Sequence, residues 1–103
     1  MIRHIVALRF RPGIASEVRD GLYVDLAALR ALVPGVLDFH AGPNVSVEPL
    51  SRGFDDLFWF DFRDAAVRDA YLVHPAHQAV GARIVAQTDG GPEGVFVFDI
   101  EVP

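Results

Sequence analysis

The stretch that decides the fold is Phe54–Phe62 (FDDLFWFDF), which alternates in its second half. Phe58, Phe60 and Phe62 share one side of this segment, whereas Trp59 lies on the other side with Leu57. A period of two indicates a β-strand, because successive side chains point to opposite faces of the sheet. Both faces of this strand carry large apolar side chains, so we expect both faces of its sheet to be covered.

The same alternation predicts three more strands, at Ile2–Phe10, Val36–Ala41 and Gly94–Val102. In the first of them, His4 shares a face with Val6 and Leu8. This histidine is therefore either a core residue with a polar partner or a polar group in an apolar pocket. In the second strand, strict alternation places Leu37 and Phe39 on one face.

Helices are predicted between these strands from apolar residues that recur every three or four positions. The first runs from Ser16, as its N-cap, to Val33, where Pro34-Gly35 ends it. Its buried stripe comprises Val18, Leu22, Leu26, Leu29 and Val33. Asp64 is predicted to cap a second helix. Pro75 suits the first turn of a third helix, because proline lacks only an amide hydrogen that would be unpaired there.

The order strand, helix, strand, strand, helices, strand predicts a ferredoxin-like α+β fold, with residues 1–103 as one domain. Helices would cover one face of a four-stranded antiparallel sheet. The other face would expose Trp59 and Leu57 among other apolar side chains, and apolar patches of that kind mark interfaces. Burying the patch favours association enough to offset the entropic cost of joining two chains. We therefore expect a homodimer with the open sheet faces in contact.

Composition excludes several classes of function. The net charge of −5 and the absence of a lysine or arginine cluster argue against nucleic acid as a partner. The chain has no cysteine, so it has no disulfide framework and no thiolate metal site. No apolar run approaches the roughly 18 residues of a membrane span. Without a phosphate-binding loop or a metal-ligand pattern, we expect no cofactor and no metal, and a cytoplasmic location.

The densest patch of usable chemistry is the segment from Tyr71 to His77 (YLVHPAH). It holds three of the chain's six histidines and tyrosines within seven residues. Neutral histidine serves as a base near pH 7, and a tyrosine hydroxyl donates to a developing oxyanion. The same spacing fits a structural role, in which His74 caps a helix at the proline break and Tyr71 packs in the core.

Several motifs along the chain resemble those of the stress-responsive A/B-barrel (Dabb) family. They are Ile2-Arg3-His4-Ile5-Val6, Pro34-Gly35-Val36, Gly42-Pro43-Asn44-Val45-Ser46, Arg52-Gly53-Phe54 and His74-Pro75-Ala76-His77. Together they extend over essentially the whole chain. The resemblance implies a ferredoxin-like fold whose dimer closes two sheets into an α/β barrel, in agreement with the expectation from the strands.

The resemblance also implies candidate site residues. The best-understood enzymes of the family are plant polyketide cyclases of the olivetolic acid type, which form an aromatic acid by C2–C7 aldol closure of a linear polyketide. Their catalytic pair, a tyrosine and the second histidine of His-Pro-x-His, corresponds to Tyr71 and His77. A histidine of their first strand corresponds to His4. With Val6 and Leu8 on the same face as His4, we expect these three residues to contact the substrate, and we interpret His74 as a cap.

Three interpretations of function follow. The first is a small cyclase or aldol-type lyase that acts on a hydrophobic or aromatic carbonyl compound, with His77 as general base. The second is a non-catalytic, stress-associated dimeric module in which the same pocket binds a ligand or only stabilises the fold. The third is a cofactor-free monooxygenase, for which fold analogy is the only ground.

Overall fold

The computed structural model describes residues 1–103 and has a four-stranded sheet with three helices on one face. The strands are β1 (Ile2–Leu8), β2 (Val36–Pro43), β3 (Asp56–Phe62) and β4 (Val95–Glu101). The helices are α1 (Ser16–Ala28), α2 (Ala65–Val73) and α3 (Pro75–Gln87), with short 3₁₀ turns at Leu29–Ala31 and Gly91–Gly94. The sheet order is β2-β3-β1-β4, and all neighbours are antiparallel. The predicted ferredoxin-like α+β fold is confirmed. No helix combines the length and the apolar character that a membrane span requires.

The core lies between the helices and the face of the sheet that carries the β3 phenylalanines. Phe60 and Phe62 are fully buried, and Phe58 is nearly so. Tyr71 of α2 packs on this layer, with its ring centroid 4.9 Å from that of Phe60 and 5.0 Å from that of Phe62. On β1, His4 lies directly opposite Phe60 in the register. The face that carries the β3 phenylalanines is therefore the core face.

The first helix differs from its prediction at both ends. Ser16 is its first helical residue and not its N-cap, which is Ala15 with no side-chain hydrogen bond. Regular α-helix ends at Ala28, and the chain tightens into a 3₁₀ turn that still buries Leu29. Val18 was expected in the buried stripe, but it borders a solvent-open groove beside α3 and is 40% exposed.

A β-bulge changes the facing of residues at the start of β2. The register with β3 shifts between Val36 and Asp38, which leaves Leu37 without a partner and half exposed. Val36 lies opposite Phe62, so it shares the core face with Phe39. The expectation that Leu37 and Phe39 share a face is therefore wrong, because a bulge inserts one extra residue into the period of two.

The junction between α2 and α3 follows its prediction closely. The Asp64 carboxylate accepts a hydrogen bond from the backbone N–H of Val67 at 3.0 Å and caps α2. His74 is extended, as expected for a residue before proline, and its Nδ1 accepts from the N–H of Ala76 at 3.0 Å. Pro75 opens α3. The interpretation of His74 as a helix cap is confirmed.

The second face of the sheet has no helix over it. Ile5 of β1 lies between Trp59 of β3 and Phe98 of β4 in the register, so the three side chains share this face. Phe98 is 47% exposed, and its β4 neighbours Phe96 and Ile100 are exposed to a similar degree. We call this surface the open face. It is apolar at its β4 side. Trp59 and Leu57, which were expected to be exposed on it, are only partly exposed, and the Arg3 guanidinium lies over the Trp59 ring.

Candidate functional site

A cavity of about 370 Å³ lies between the core face of the sheet and helices α2 and α3. Most of its lining is apolar, and includes Val6, Leu26, Phe58, Ile84 and Val97. Its polar lining residues are His4, Tyr71, His77 and Gln78. A mostly apolar cavity with a few convergent polar groups is the usual form of a small-molecule site.

His77 lies in the first turn of α3, which the proline break directs back towards α2. Its Nδ1 is 3.1 Å from the backbone carbonyl oxygen of Leu72. A carbonyl only accepts hydrogen bonds, so Nδ1 carries the proton and donates. In the neutral ring, Nε2 is then an unpaired acceptor on a side chain that lines the cavity. Burial lowers the pKa of His77 and outweighs the bond to the Leu72 carbonyl, which raises it. The neighbouring His4 and His74 lower the pKa further, so the ring is neutral at pH 7.

Tyr71 faces His77 from the last turn of α2. The two ring centroids are 4.2 Å apart, and the tyrosine is 1% exposed. No hydrogen bond within the chain involves its hydroxyl, and the residue lines the cavity. Burial raises the pKa of Tyr71 well above its ordinary value of 10.0, so the hydroxyl keeps its proton. It is therefore a donor that a bound molecule can use.

His4 reaches the same cavity from β1 and is held by residues that sequence analysis missed. Its Nδ1 is 2.7 Å from a carboxylate oxygen of Asp99, which lies opposite it on β4. Because a carboxylate accepts, Nδ1 carries a proton and Nε2 is the unpaired nitrogen. The other carboxylate oxygen of Asp99 accepts from Arg68 Nη1 at 3.1 Å. The only signal in the sequence was an acidic residue on the inward face of β4.

The structure brings together most of the predicted site residues, but not all of them. His4, Val6, Tyr71 and His77 line one cavity. Leu8 does not line it, because this side chain is fully buried in the core further along β1. The rest of the lining comes from residues that sequence analysis did not assign to the site, among them Leu26, Phe58, Ile84 and Val85.

The sequence of this chain is similar to those of known proteins. The family model of the stress responsive A/B barrel domain matches residues 2–102. The stress-response A/B barrel domain-containing protein HS1 of Arabidopsis thaliana is 30% identical over 76 residues, which are 74% of this chain and 70% of that protein.

Two crystal structures are close in shape. A dimeric ferredoxin-like protein of unknown function from Jannaschia sp. CCS1 is 35% identical, with a TM-score of 0.90 over 98% of both chains. A second one, from Arabidopsis thaliana, is 26% identical with a TM-score of 0.90, over 100% of this chain and 96% of that chain. The match of the family model over nearly the full length decides the assignment. The chain belongs to the stress responsive A/B barrel domain family.

Proposed function

We propose that the protein is a general-base enzyme that closes a ring in a hydrophobic carbonyl compound by an aldol reaction, as polyketide cyclases do. His77 is the base, and Tyr71 is the hydrogen-bond donor. The observation that supports this proposal best is the hydrogen bond from His77 Nδ1 to the Leu72 carbonyl. It leaves a basic nitrogen of a neutral imidazole in an apolar cavity, next to a tyrosine hydroxyl with no other partner.

The proposed reaction balances within these groups. Nε2 of His77 takes a proton from the carbon next to a substrate carbonyl, and the electron pair moves to the carbonyl oxygen as an enolate. Tyr71 stabilises this oxygen by donating its hydroxyl hydrogen. The enolate carbon then bonds to a second carbonyl carbon of the same molecule, and the resulting alkoxide recovers the proton from Nε2. The reaction needs a neutral His77 and a protonated Tyr71, and burial favours both of these states.

His4 has a supporting part in this proposal. Asp99 fixes its ring, so that Nε2 is the nitrogen available to the ligand. One oriented polar contact of this kind would select among the folded conformations of a flexible substrate. The apolar lining suits a substrate whose remaining surface is hydrocarbon or aromatic.

Substitution of His77 tests the proposal. We expect the wild-type protein to accelerate closure of a linear poly-β-keto thioester to its cyclic aldol isomer, measured together with the product of spontaneous water loss by liquid chromatography with mass detection. His77→Ala should lower the rate at least about 100-fold, because general-base catalysis contributes about that much or more. His74→Ser is the matched control, since position 74 does not line the cavity and serine can accept the hydrogen bond from Ala76 that caps α3. It should keep the wild-type rate.

The same experiment separates the alternative interpretations. A wild-type protein with no turnover above the spontaneous background would contradict the proposal. A loss of thermal stability in His77→Ala would then favour a structural module. If His77→Ala kept the wild-type rate, the base would be another group. The interpretation as a cofactor-free monooxygenase has fold analogy as its only support.

We also propose that two copies associate through the open face. Its exposed apolar side chains, Phe96, Phe98 and Ile100, support this proposal, because water contact with them is unfavourable. A dimeric relative with 35% identity supports it as well. A two-fold axis through the open face would bring these residues of one chain into contact with the same residues of the second chain.

A further inference from the structure

The position of Gly81 in the cavity indicates a further role. It lies in the middle of α3, four residues after His77, so both residues occupy the same helix face. That face continues to Ile84 and Val85, which also line the cavity. With a rise of 1.5 Å per residue, α3 runs along the cavity for roughly 12 Å between His77 and Val85. Gly81 lies halfway along that wall.

The opposite wall runs in the same direction. In the register of β1 and β4, Asp99 pairs with His4, Val97 with Val6, and Val95 with Leu8. Val97 and Val95 both line the cavity. The cavity therefore has a polar end at His4 and His77 and an apolar end near Val95 and Val85. Among the α3 residues that line the cavity, Gly81 is the one midway between these ends.

None of the usual structural reasons for a glycine applies at this position. Gly81 is not among the residues with positive φ, so another residue would adopt its backbone conformation without strain. A Cβ atom added there would meet no atom within 4 Å, so close packing does not exclude a side chain. Glycine in a helix interior is unfavourable relative to alanine. What an added side chain would enter is the cavity itself.

Gly21 provides the comparison. It also lies inside a 13-residue helix, α1, and a Cβ atom added to it would likewise meet nothing within 4 Å. Gly21, however, borders the outer groove that it shares with Glu17 and Arg83, and it does not line the cavity. The absence of a side chain is therefore common to both glycines and does not distinguish Gly81. What distinguishes Gly81 is its position between the two ends of the cavity.

We propose that Gly81 is a specificity-determining residue, which keeps the polar and apolar ends of the cavity connected for ligands with an extended apolar body. This inference rests on the proposed function of the cavity as the ligand site. A side chain at position 81 divides the cavity. Short ligands then still reach His77 and Tyr71, whereas longer ligands lose the far end.

A series of para-alkylphenols, from 4-methylphenol to 4-octylphenol, tests this inference by titration calorimetry. The phenol hydroxyl can pair with the free nitrogen of His77, and the alkyl chain probes the length of the cavity. For the wild-type protein, affinity should rise about fourfold per methylene, the value for burying one CH₂ group. For Gly81→Leu, 4-methylphenol should bind within about threefold of wild type, and the gain should stop several methylenes earlier.

Gly21→Leu is the matched control and should keep the wild-type dependence on chain length. If Gly81→Leu does not fold, Gly81→Ala and Gly21→Ala carry the comparison. Both should melt above the wild type, because alanine is the better helix former. Only Gly81→Ala should lower the affinity for the longest phenols, by about threefold or more.

Two results would overturn the inference. One is a chain-length dependence of the Gly81 variants that matches the Gly21 variants, which would leave the cavity a ligand site with another determinant of length. The other is a wild-type protein that binds no alkylphenol, or that gains nothing from added methylenes. The ring-closure assay with His77→Ala is independent of both, so failure of the base proposal and failure of this inference are distinguishable.

Discussion

At the scale of single residues, the candidate site depends on how each imidazole uses its two nitrogens. In both His4 and His77, an acceptor-only oxygen holds Nδ1, so the other nitrogen is available to a ligand. The partners differ: a carboxylate, Asp99, holds His4, and a backbone carbonyl holds His77. Burial lowers the pKa of His77 and outweighs the opposing effect of its bond to the Leu72 carbonyl, so this ring is neutral near pH 7. Its neutral state favours His77 as the base.

The neutral state of His77 predicts a dependence of stability on pH. The folded protein takes up the His77 proton at a lower pH than the unfolded chain, whose pKa is near 6.5. Between those two pKa values the unfolded state binds more protons, so the free energy of unfolding falls as the pH is lowered through that window. Above about 6.5 this contribution should be constant. Urea denaturation of the wild type and His77→Gln at pH 5 to 8 measures it, and parallel pH profiles for the two proteins would contradict it.

Two substitutions of Tyr71 distinguish the role of its ring from that of its hydroxyl. Tyr71→Phe keeps the packing on Phe60 and Phe62 and removes a hydroxyl that makes no hydrogen bond in the chain. We expect the free energy of unfolding to change by less than about 1 kcal/mol. Tyr71→Ala should cost about 3–5 kcal/mol, as usual for a large aromatic residue in a core. Ring-closure activity should fall in Tyr71→Phe, and an unchanged rate with unchanged stability would exclude the hydroxyl from the reaction.

At the scale of elements, the period of two and the helical spacing predicted the fold because each reports which face is buried. The spacing of Phe58, Phe60 and Phe62 placed these residues on one face of β3 without any knowledge of neighbouring strands, and this is the face that the helices bury. The bulge at Leu37 could not be predicted, since it depends on the register with β3. The pair of His4 and Asp99 was missed for the same reason: the two residues are 95 positions apart and meet only through the register of β1 and β4.

The candidate pair was easier to predict, because Tyr71 and His77 lie on adjacent helices in one local turn. Within that turn, the His74 side chain accepts a hydrogen bond from the N–H of Ala76 and caps the start of α3. The resulting orientation of α3 directs His77 back to Leu72. The far wall of the cavity was not predicted. Ile84 and Val85 look like ordinary residues of a core helix, and only the assembled fold shows the space beside them.

The His74 cap is testable through stability. His74→Ala leaves the N–H of Ala76 without its side-chain partner and should lower the free energy of unfolding by about 1 kcal/mol. His74→Asn should restore most of this loss, because asparagine accepts the same hydrogen bond. Urea denaturation measures both changes. Equal stability of the alanine and asparagine variants would mean that the hydrogen bond contributes nothing and that Pro75 alone begins the helix.

At the scale of the whole molecule, a single sheet carries the cavity on one face and the open face on the other. Alternate residues of one strand serve the two surfaces: Val6 lines the cavity, and Ile5 lies on the open face against Trp59 and Phe98. A partner chain that packs on the open face would therefore also hold in place the strands whose other side lines the cavity. Dimerisation and ligand binding are thus expected to be coupled through β1 and β4.

The proposed dimer is tested by placing a charge on the open face. Phe98→Glu puts a carboxylate opposite Ile5, and a two-fold axis would bring two such charges into one apolar interface. Burying them without partners is strongly unfavourable, so we expect the mass in solution to fall from about twice 11.3 kDa to the mass of one chain.

Val24→Glu is the control, because Val24 is 68% exposed on α1, and it should stay dimeric. Light scattering at micromolar concentration measures all three proteins. A monomeric wild type would refute the dimer, and a dimeric Phe98→Glu would move its interface away from the open face.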